Sequence, residues 1–188
     1  MIETERLILR NYLESDIDDY FEYVSNPNIG PRAGGWKPYE TKEAALERLR
    51  HEITKPYQFA IVLKEENKVI GSVELMDVKV ERYGIDEVDN TKKEIGYLLS
   101  ESYWGRGIMP EAVKGVMEYA FMTLKVEEIL ISHAKANVQS GRVQDKLGFK
   151  IFAEMPNYRT WVDGKETSCV CRSMTREEYI KNYKNNKR

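Results

Sequence analysis

The chain has 188 residues, with 29 Lys and Arg against 31 Asp and Glu, a formal net charge of −2 and 41% hydrophobic residues. A near-neutral balance of mixed sign with 11% aromatics excludes a disordered or fibrous chain and offers no basic face for wrapping nucleic acid. A chain of this length can bury roughly 70% of its unfolded surface, so one domain over residues 1–188 is expected, and no apolar run nears the ~20 residues of a membrane span.

Arg6–Tyr12 alternates as a first strand. Ser15 is expected to cap a helix whose Ile17, Tyr20, Phe21 and Val24 fall at helical spacing, with Asp16, Asp18 and Asp19 suited to its positive end. Asn26-Pro27 ends it. A Gly- and Pro-rich loop, Gly30–Pro38, precedes a second amphipathic helix over Thr41–Ile53, with Leu46, Leu49 and Ile53 on one face. Gln58–Lys64 and Val69–Val78 flank the polar turn Glu65-Glu66-Asn67 as an antiparallel hairpin. The acidic stretch Glu81–Asn90 reads as an exposed loop, and Lys93–Ser100 as a strand.

Pro110–Leu124 carries the clearest helical period, through Val113, Val116, Met117, Ala120, Phe121 and Leu124. Glu128–Ala134 follows as a buried strand, and a strand–helix–strand crossover implies that it runs parallel to Lys93–Ser100. A shorter helix over Val138–Leu147 closes on Gly148. Phe149–Met174 reads as strands around an Asp163-Gly164 turn, and Arg172–Arg188 as a solvated end. The expected fold is therefore α+β: a mixed, mostly antiparallel sheet with one parallel crossover, flanked by helices. Cys169 and Cys171 are too close for an ordinary disulfide and too few for zinc, which suggests reduced thiols in the cytoplasm. His51 and His133 are too isolated to suggest a metal, and none is expected.

Two segments carry chemistry. In Glu94–Ala112 (EIGYLLSESYWGRGIMPEA) a strand runs into a turn holding Gly105 and Gly107, and a helix starts at Pro110. Free backbone N–H groups and the positive helix end converge there, an arrangement suited to a phosphate or pyrophosphate, although a tight turn alone would read the same way. G-x-x-x-x-G-K-[ST] and G-x-G-x-x-G are both absent, which argues against an ATPase or a dinucleotide enzyme. In Asn137–Phe149 (NVQSGRVQDKLGF), Asn137 and Ser140 lie one helical turn apart at the C-terminal edge of the parallel strand, where ligands of open sheets bind. Asn137 could equally be a helix cap.

Taken together, E-I-G-Y, Y-W-G-R-G-x-x-x-E-A, N-x-x-S and K-L-G-F, preceded by T-E-R-L-I-L-R at Thr4–Arg10, resemble the GNAT acetyltransferase superfamily, and within it the ribosomal-protein N-terminal acetyltransferase (RimJ/RimL-like) branch. The resemblance spans nearly the whole chain in order. It implies acetyl-CoA as cosubstrate, with the pyrophosphate on the amides of Trp104, Gly105, Arg106, Gly107, Ile108 and Met109 and the pantetheine arm on the backbone of Tyr97, Leu98 and Leu99. It also implies Asn137 on the pantetheine side and Ser140 near the thioester sulfur. Met109 stands where the family usually has Gly or Ala; its side chain would crowd the phosphates or point into the core. The tyrosine acid of many members falls at Gln144, so the role would pass to Ser140 or a water.

The implied reaction is direct transfer of acetyl to a primary amine, without an acyl-enzyme. An α-amine has a pKa of about 7.7–8.0 against ~10.4 for lysine, so a modest base suffices for a protein N-terminus, the favoured acceptor. Glu94 is the candidate base, with Glu74 and Glu111 weaker and an amide near Leu98 for the oxyanion. Arg32 and Trp36 are the candidate acceptor contacts, and the acids Glu81, Asp86, Glu87 and Asp89 are either a rim for a cationic amine or a solvated loop. A small-molecule acceptor (polyamine, amino acid or aminoglycoside) and a catalytically silent acyl-CoA-binding module are the alternatives. The sequence leaves monomer or homodimer open.

Overall fold

The structure is a computed structural model that describes residues 1–33, 36–87, 89–160 and 166–184, with backbone alone at 31–32, 157–160, 166 and 184. Its centre is an eight-stranded sheet in the order β1-β2-β3-β4-β5-β6-β8-β7. The strands are β1 (Ile2–Glu3), β2 (Leu7–Arg10), β3 (Gln58–Leu63), β4 (Lys68–Met76), β5 (Lys92–Leu99), β6 (Glu128–Ala134), β7 (Lys150–Thr160) and β8 (Glu166–Thr175). Among these, β5 and β6 form the one parallel pair and every other neighbour is antiparallel, as the crossover argument requires.

Because successive side chains of a strand point to opposite faces, each strand feeds two cores. Leu7, Leu9, Ile61, Ile70, Val73, Ile95 and Leu99 turn to one face, against α5 (Ile108–Glu118). There Val113, Val116 and Met117 are fully buried, each apolar side chain contributing roughly 1.5–3 kcal/mol, so the start of α5 rests on an immobile base. The helix runs on as one wider turn over Tyr119–Thr123, where the Leu124 N–H reaches back to Tyr119 O at 3.1 Å. The opposite face packs α1 (Ile17–Val24) and α3 (Lys42–Ile53) over Ala60, Val62 and Val69, with Tyr12, Tyr20 and Tyr23 between the layers.

Several local expectations change. Ser15 does not cap α1; Asp16 holds the entry instead, accepting from the Leu13 N–H at 2.8 Å and from both terminal nitrogens of Arg10 at 2.8 Å. A carboxylate reaching back to an arginine outcompetes a neutral hydroxyl for this turn. Thr41 does cap α3, accepting from the Ala44 N–H at 3.2 Å. The segment expected as a Gly/Pro loop contains a helical turn, α2 (Gly30–Ala33), and the acidic stretch begins with another, α4 (Val80–Tyr83), which ends on Gly84 at φ +63°. Tyr83 is what folds α4: its ring is buried against Val78, Leu130 and the two cysteines. The Asp163-Gly164 turn lies outside the described residues. The expected solvated end instead packs: Arg172 is buried beside Asp145, and α7 (Arg176–Tyr179) starts on a Thr175/Glu178 capping box and buries Tyr179.

Candidate active site

β5 pairs with β4 along its length, from Glu94 opposite Met76 to Leu99 opposite Gly71, but with β6 only from Lys92 to Ile95. Beyond Ile95 the two parallel strands diverge, while β6 stays on β8 as far as Ala134. The divergence opens a cleft of about 1250 Å³ between the α1–α3 face and the starts of α5 and α6 (Val138–Lys146). Ladder alternation decides which backbone groups face it. The Ser100 N–H bonds to Ile70 O at 2.8 Å, so even-numbered amides of β5 turn to β4 and odd-numbered ones turn to the gap. Tyr97 and Leu99 therefore present backbone to the cleft, whereas the amide expected at Leu98 is directed at Ser72 and Leu98 contributes only its side chain.

The turn after β5 leads into a helix start whose backbone N–H groups have no side-chain cap. Gly105 and Gly107 take left-handed φ of +77° and +74°, a conformation costly to side-chain-bearing residues, and no side chain caps α5 at Gly107. The first amides of α5 thus have no helical acceptor and meet the positive end of the dipole. The turn is pinned from both sides: Trp104 Nε1 donates to Leu99 O at 2.9 Å, and Arg6 Nη1 to Arg106 O at 3.0 Å. The Arg106 guanidinium lies over the Tyr103 ring at 5.2 Å. Met109 is 5% exposed and belongs to the core beneath α5, so its side chain points away from the phosphate position.

Glu111 explains why the N-terminal Thr4–Arg10 segment belongs to this site. Its carboxylate accepts from Thr4 Oγ1 at 2.6 Å, from the Arg6 N–H at 2.8 Å and from Arg6 Nε at 2.7 Å. Burial alone would raise its pKa, but these donors together hold it below the ordinary carboxylate range. With three donors fixed on it, Glu111 acts as a strut that ties the N-terminal segment to the start of α5. Glu111→Gln is expected to cost about 2 kcal/mol, a fall of roughly 4–8 °C in Tm. A depressed carboxyl stabilises above its unfolded pKa near ~4.3, and that contribution disappears as pH falls through the folded value. The Tm difference between wild type and variant should therefore close in acid, which thermal melts at neutral pH and near pH 3 would check.

On the far wall Asn137 does cap α6, its Oδ1 accepting from the Ser140 N–H at 3.2 Å. Ser140 does not simply face solvent. Its Oγ lies 2.7 Å from Tyr97 Oη, the same phenol donates to Ser140 O at 3.1 Å, and Gln144 Nε2 donates to Ser140 Oγ at 3.4 Å. Gln144 is fully buried and its Oε1 meets His133 Nδ1 at 2.8 Å. Gly141 leaves room for this, since a Cβ there would come within 2.9 Å of His133 Nε2. Burial pushes the Tyr97 phenol up to about 12, against the opposing pull of its Ser140 hydrogen bond, so it keeps its proton at neutral pH.

Glu94 lies on the other face, at the closed end of the opening. It is 2% exposed, so it is no solvated strand end. Oε1 is engaged by Arg82 of α4, and Oε2 is buried in the cleft wall without a hydrogen-bond partner. The acceptor side also holds residues that sequence reasoning passed over. Glu52 of α3 has Lys55 at 2.9 Å and Arg48 at 2.5 Å, Lys55 also meets Glu74 at 3.0 Å, and Gln58 is buried at the head of β3. A glutamine opening a strand that is buried at every position was the available signal. Trp36 lines this chamber, while the side chain of Arg32 lies outside the described residues. Glu81, Asp86, Glu87 and Asp89 are not among the cleft-lining residues; that segment contributes Arg82, a cation. Cys169 and Cys171 are buried behind α4, and the hydrogen bond between the two thiols, then burial, hold Cys171 far above the ordinary thiol range.

The Acetyltransferase (GNAT) domain family matches this chain over residues 6–150, a span that holds the divergent strands and both helix starts. The chain belongs to the GNAT acetyltransferase family. It is similar to the uncharacterized N-acetyltransferase p20 of Bacillus licheniformis, 25% identical over 181 residues that make up 94% of this chain and 96% of that one. Among solved structures, a ribosomal-protein-S5-alanine acetyltransferase of Vibrio fischeri superposes with a TM-score of 0.71 at 22% identity, covering 94% of this chain and 97% of that one. A spermidine N-acetyltransferase of Vibrio cholerae, in complex with CoA and spermine, superposes at 0.75 with 17% identity, covering 94% and 99%. At these identities the likeness is one of fold. The protein is thus an acetyl-CoA-dependent GNAT acetyltransferase, and its residues fit that cosubstrate: free amides at the α5 start, free backbone on β5, and Arg142 and Lys146 on the α6 wall. No helix among the described residues is long and apolar enough to cross a membrane, and no group of three or more of their His, Cys, Asp or Glu could hold a metal.

Proposed function

We propose that this GNAT acetyltransferase, as one domain over residues 1–188, acetylates the α-amine of a protein or peptide N-terminus, in the manner of the ribosomal-protein acetyltransferase branch. The observation that carries this reading is the disposition of Glu94 and Ser140. A buried carboxylate with one oxygen unpartnered and a hydrogen-bonded hydroxyl stand on opposite faces of β5, flanking the gap between them. Bound acetyl-CoA supplies the acetyl group as an activated thioester; everything else is positioning and proton management by this chain.

Gly105, Arg106, Gly107, Ile108 and Met109 offer their amides to the pyrophosphate, whereas the Trp104 N–H expected with them is already bonded to Glu101 O at 3.1 Å; Tyr97 and Leu99 offer theirs to the pantetheine amides. Asn137 fixes the α6 start beside that arm. Glu94 Oε2 takes a proton from the acceptor ammonium, directly or through water, and Arg82 keeps the carboxylate oriented. An α-amine near 7.7–8.0 loses that proton at little cost, which favours it over a lysine side chain. Ser140, held by Tyr97 and Gln144, hands a proton to the departing sulfur. Tyr97 thereby supplies through its phenol part of what a tyrosine at Gln144 would have done.

Release of free thiol from acetyl-CoA across short peptides, polyamines, amino acids and aminoglycosides tests the acceptor. Turnover on peptide α-amines is expected. Cofactor binding with no thiol released by any acceptor would leave a silent acyl-CoA-binding module. Ser140→Ala is expected to lower kcat about 10- to 100-fold while KM for acetyl-CoA moves less than threefold; equal loss of both would make the serine a binding residue.

A further inference from the structure

We infer that the acceptor chamber reads the first peptide group of its substrate, with Gln58 accepting from the peptide N–H and Trp36 Nε1 donating to the carbonyl; this rests on the N-terminal-amine reading above. Gln58 is 5% exposed, lines the cleft, and its Oε1 has no hydrogen-bond partner. Trp36 lines the same chamber with its Nε1 buried and likewise unpartnered. Backbone and indole edge both pack on Gly30, where a Cβ would lie 2.4 Å from Trp36 O and 2.9 Å from Nε1, so only a glycine there leaves the indole nitrogen its place. Buried polar atoms are ordinarily satisfied, and a strand otherwise made of Phe59, Ala60, Ile61, Val62 and Leu63 has no folding use for an orphaned amide. One free acceptor and one free donor are what an amide group complements.

Spacing agrees. Gln58 is the register partner of Glu74, and Glu74 of Gly96, so Gln58 stands two strands, roughly 10 Å, from the β5 edge where the amine must meet the acetyl group. One residue of extended chain, about 3.3–3.6 Å, and the length of a glutamine side chain cover that distance. The charges point the same way. Each acid of the chamber already holds a cation: Glu52 has Arg48 and Lys55, Glu74 has Lys55, Asp77 has Lys93 and Glu94 has Arg82. A polyamine, which brings only donors and positive charge, would find every chamber acid beside a cation, with Glu94 Oε2 taken up by the reacting amine, and it offers nothing to accept the Trp36 proton.

The test compares kcat/KM for alanyl-glycinamide, n-butylamine and spermidine in wild type, Gln58→Met and Trp36→Phe. Wild type should prefer the dipeptide amide to both other amines, and each variant should lower the ratio of dipeptide amide to butylamine five- to tenfold, the worth of one neutral hydrogen bond. Acetyl-CoA affinity measured in each variant shows whether it is folded, and Trp36→Phe carries the test alone should Gln58→Met fail to fold. An unchanged ratio, or spermidine preferred by wild type, overturns the inference while leaving an active acetyltransferase. Acetylation of butylamine and spermidine but not of the dipeptide overturns the N-terminal-amine reading itself, and this one with it.

Discussion

Glu94→Gln is expected to lower kcat on a peptide α-amine by about 10²- to 10³-fold at pH 7, the usual worth of a positioned base. The amide is isosteric and can still meet Arg82, so folding and acetyl-CoA binding should persist; calorimetry with the cosubstrate and a thermal melt would establish that. The diagnostic is the pH profile. Below about 7.7 the acceptor is mostly ammonium and needs a group to take its proton, whereas above pH 9 most of it is already neutral. The deficit of the variant should therefore shrink steadily as pH rises. Full wild-type turnover at pH 7 would show that Glu94 is only the counter-ion of Arg82, and that solvent removes the proton.

The double substitution Gly105→Ala, Gly107→Ala is expected to weaken CoA binding by at least about 30-fold. Both positions hold left-handed φ, and a Cβ raises the energy of that conformation by roughly 1–2 kcal/mol each. In the protein alone a Cβ at Gly105 meets nothing within 4 Å, so the fold itself has room for it. The loss should therefore fall on the conformation that aims the amides and on the approach of the phosphate oxygens to them. Isothermal titration with CoA and with dephosphorylated pantetheine separates the two contributions. Loss of affinity for CoA alone is expected; equal loss for both ligands, or none for either, would move the diphosphate away from this turn.

The site was legible in the sequence where function depends on backbone. Gly105, Gly107 and the helix after them form a local device whose geometry follows from glycine's access to positive φ and from the unpaired start of any helix. Asn137 and Ser140 could be placed because helical spacing is short-range. The same reasoning misjudged Leu98, because which amide of a strand faces a gap depends on the phase of the ladder, set here by Ser100 on Ile70. It left open whether Glu81, Asp86, Glu87 and Asp89 form an acidic rim or a solvated loop, and burial of Tyr83 turns the start of that segment into a short helix that brings Arg82, not an acid, to the cleft wall. Glu111 could be read as a dipole partner, yet its role as the tie to Thr4 and Arg6 spans more than a hundred residues and has no local signature.

Periodicity, glycine placement and contiguous motifs were enough for the main strands and long helices, the parallel crossover, the glycine turn before α5 and the family. Which groups meet followed from the packed sheet and helices alone. Their packing sent Met109 into the core, joined Tyr97 to Ser140 and Gln144 to His133, buried Glu94 against Arg82, and walled the acceptor side with paired charges around Gln58 and Trp36. These contacts join residues distant in the chain, and their energies depend on burial and on the direction of a few side chains. Neither quantity exists until the sheet has twisted its two parallel strands apart.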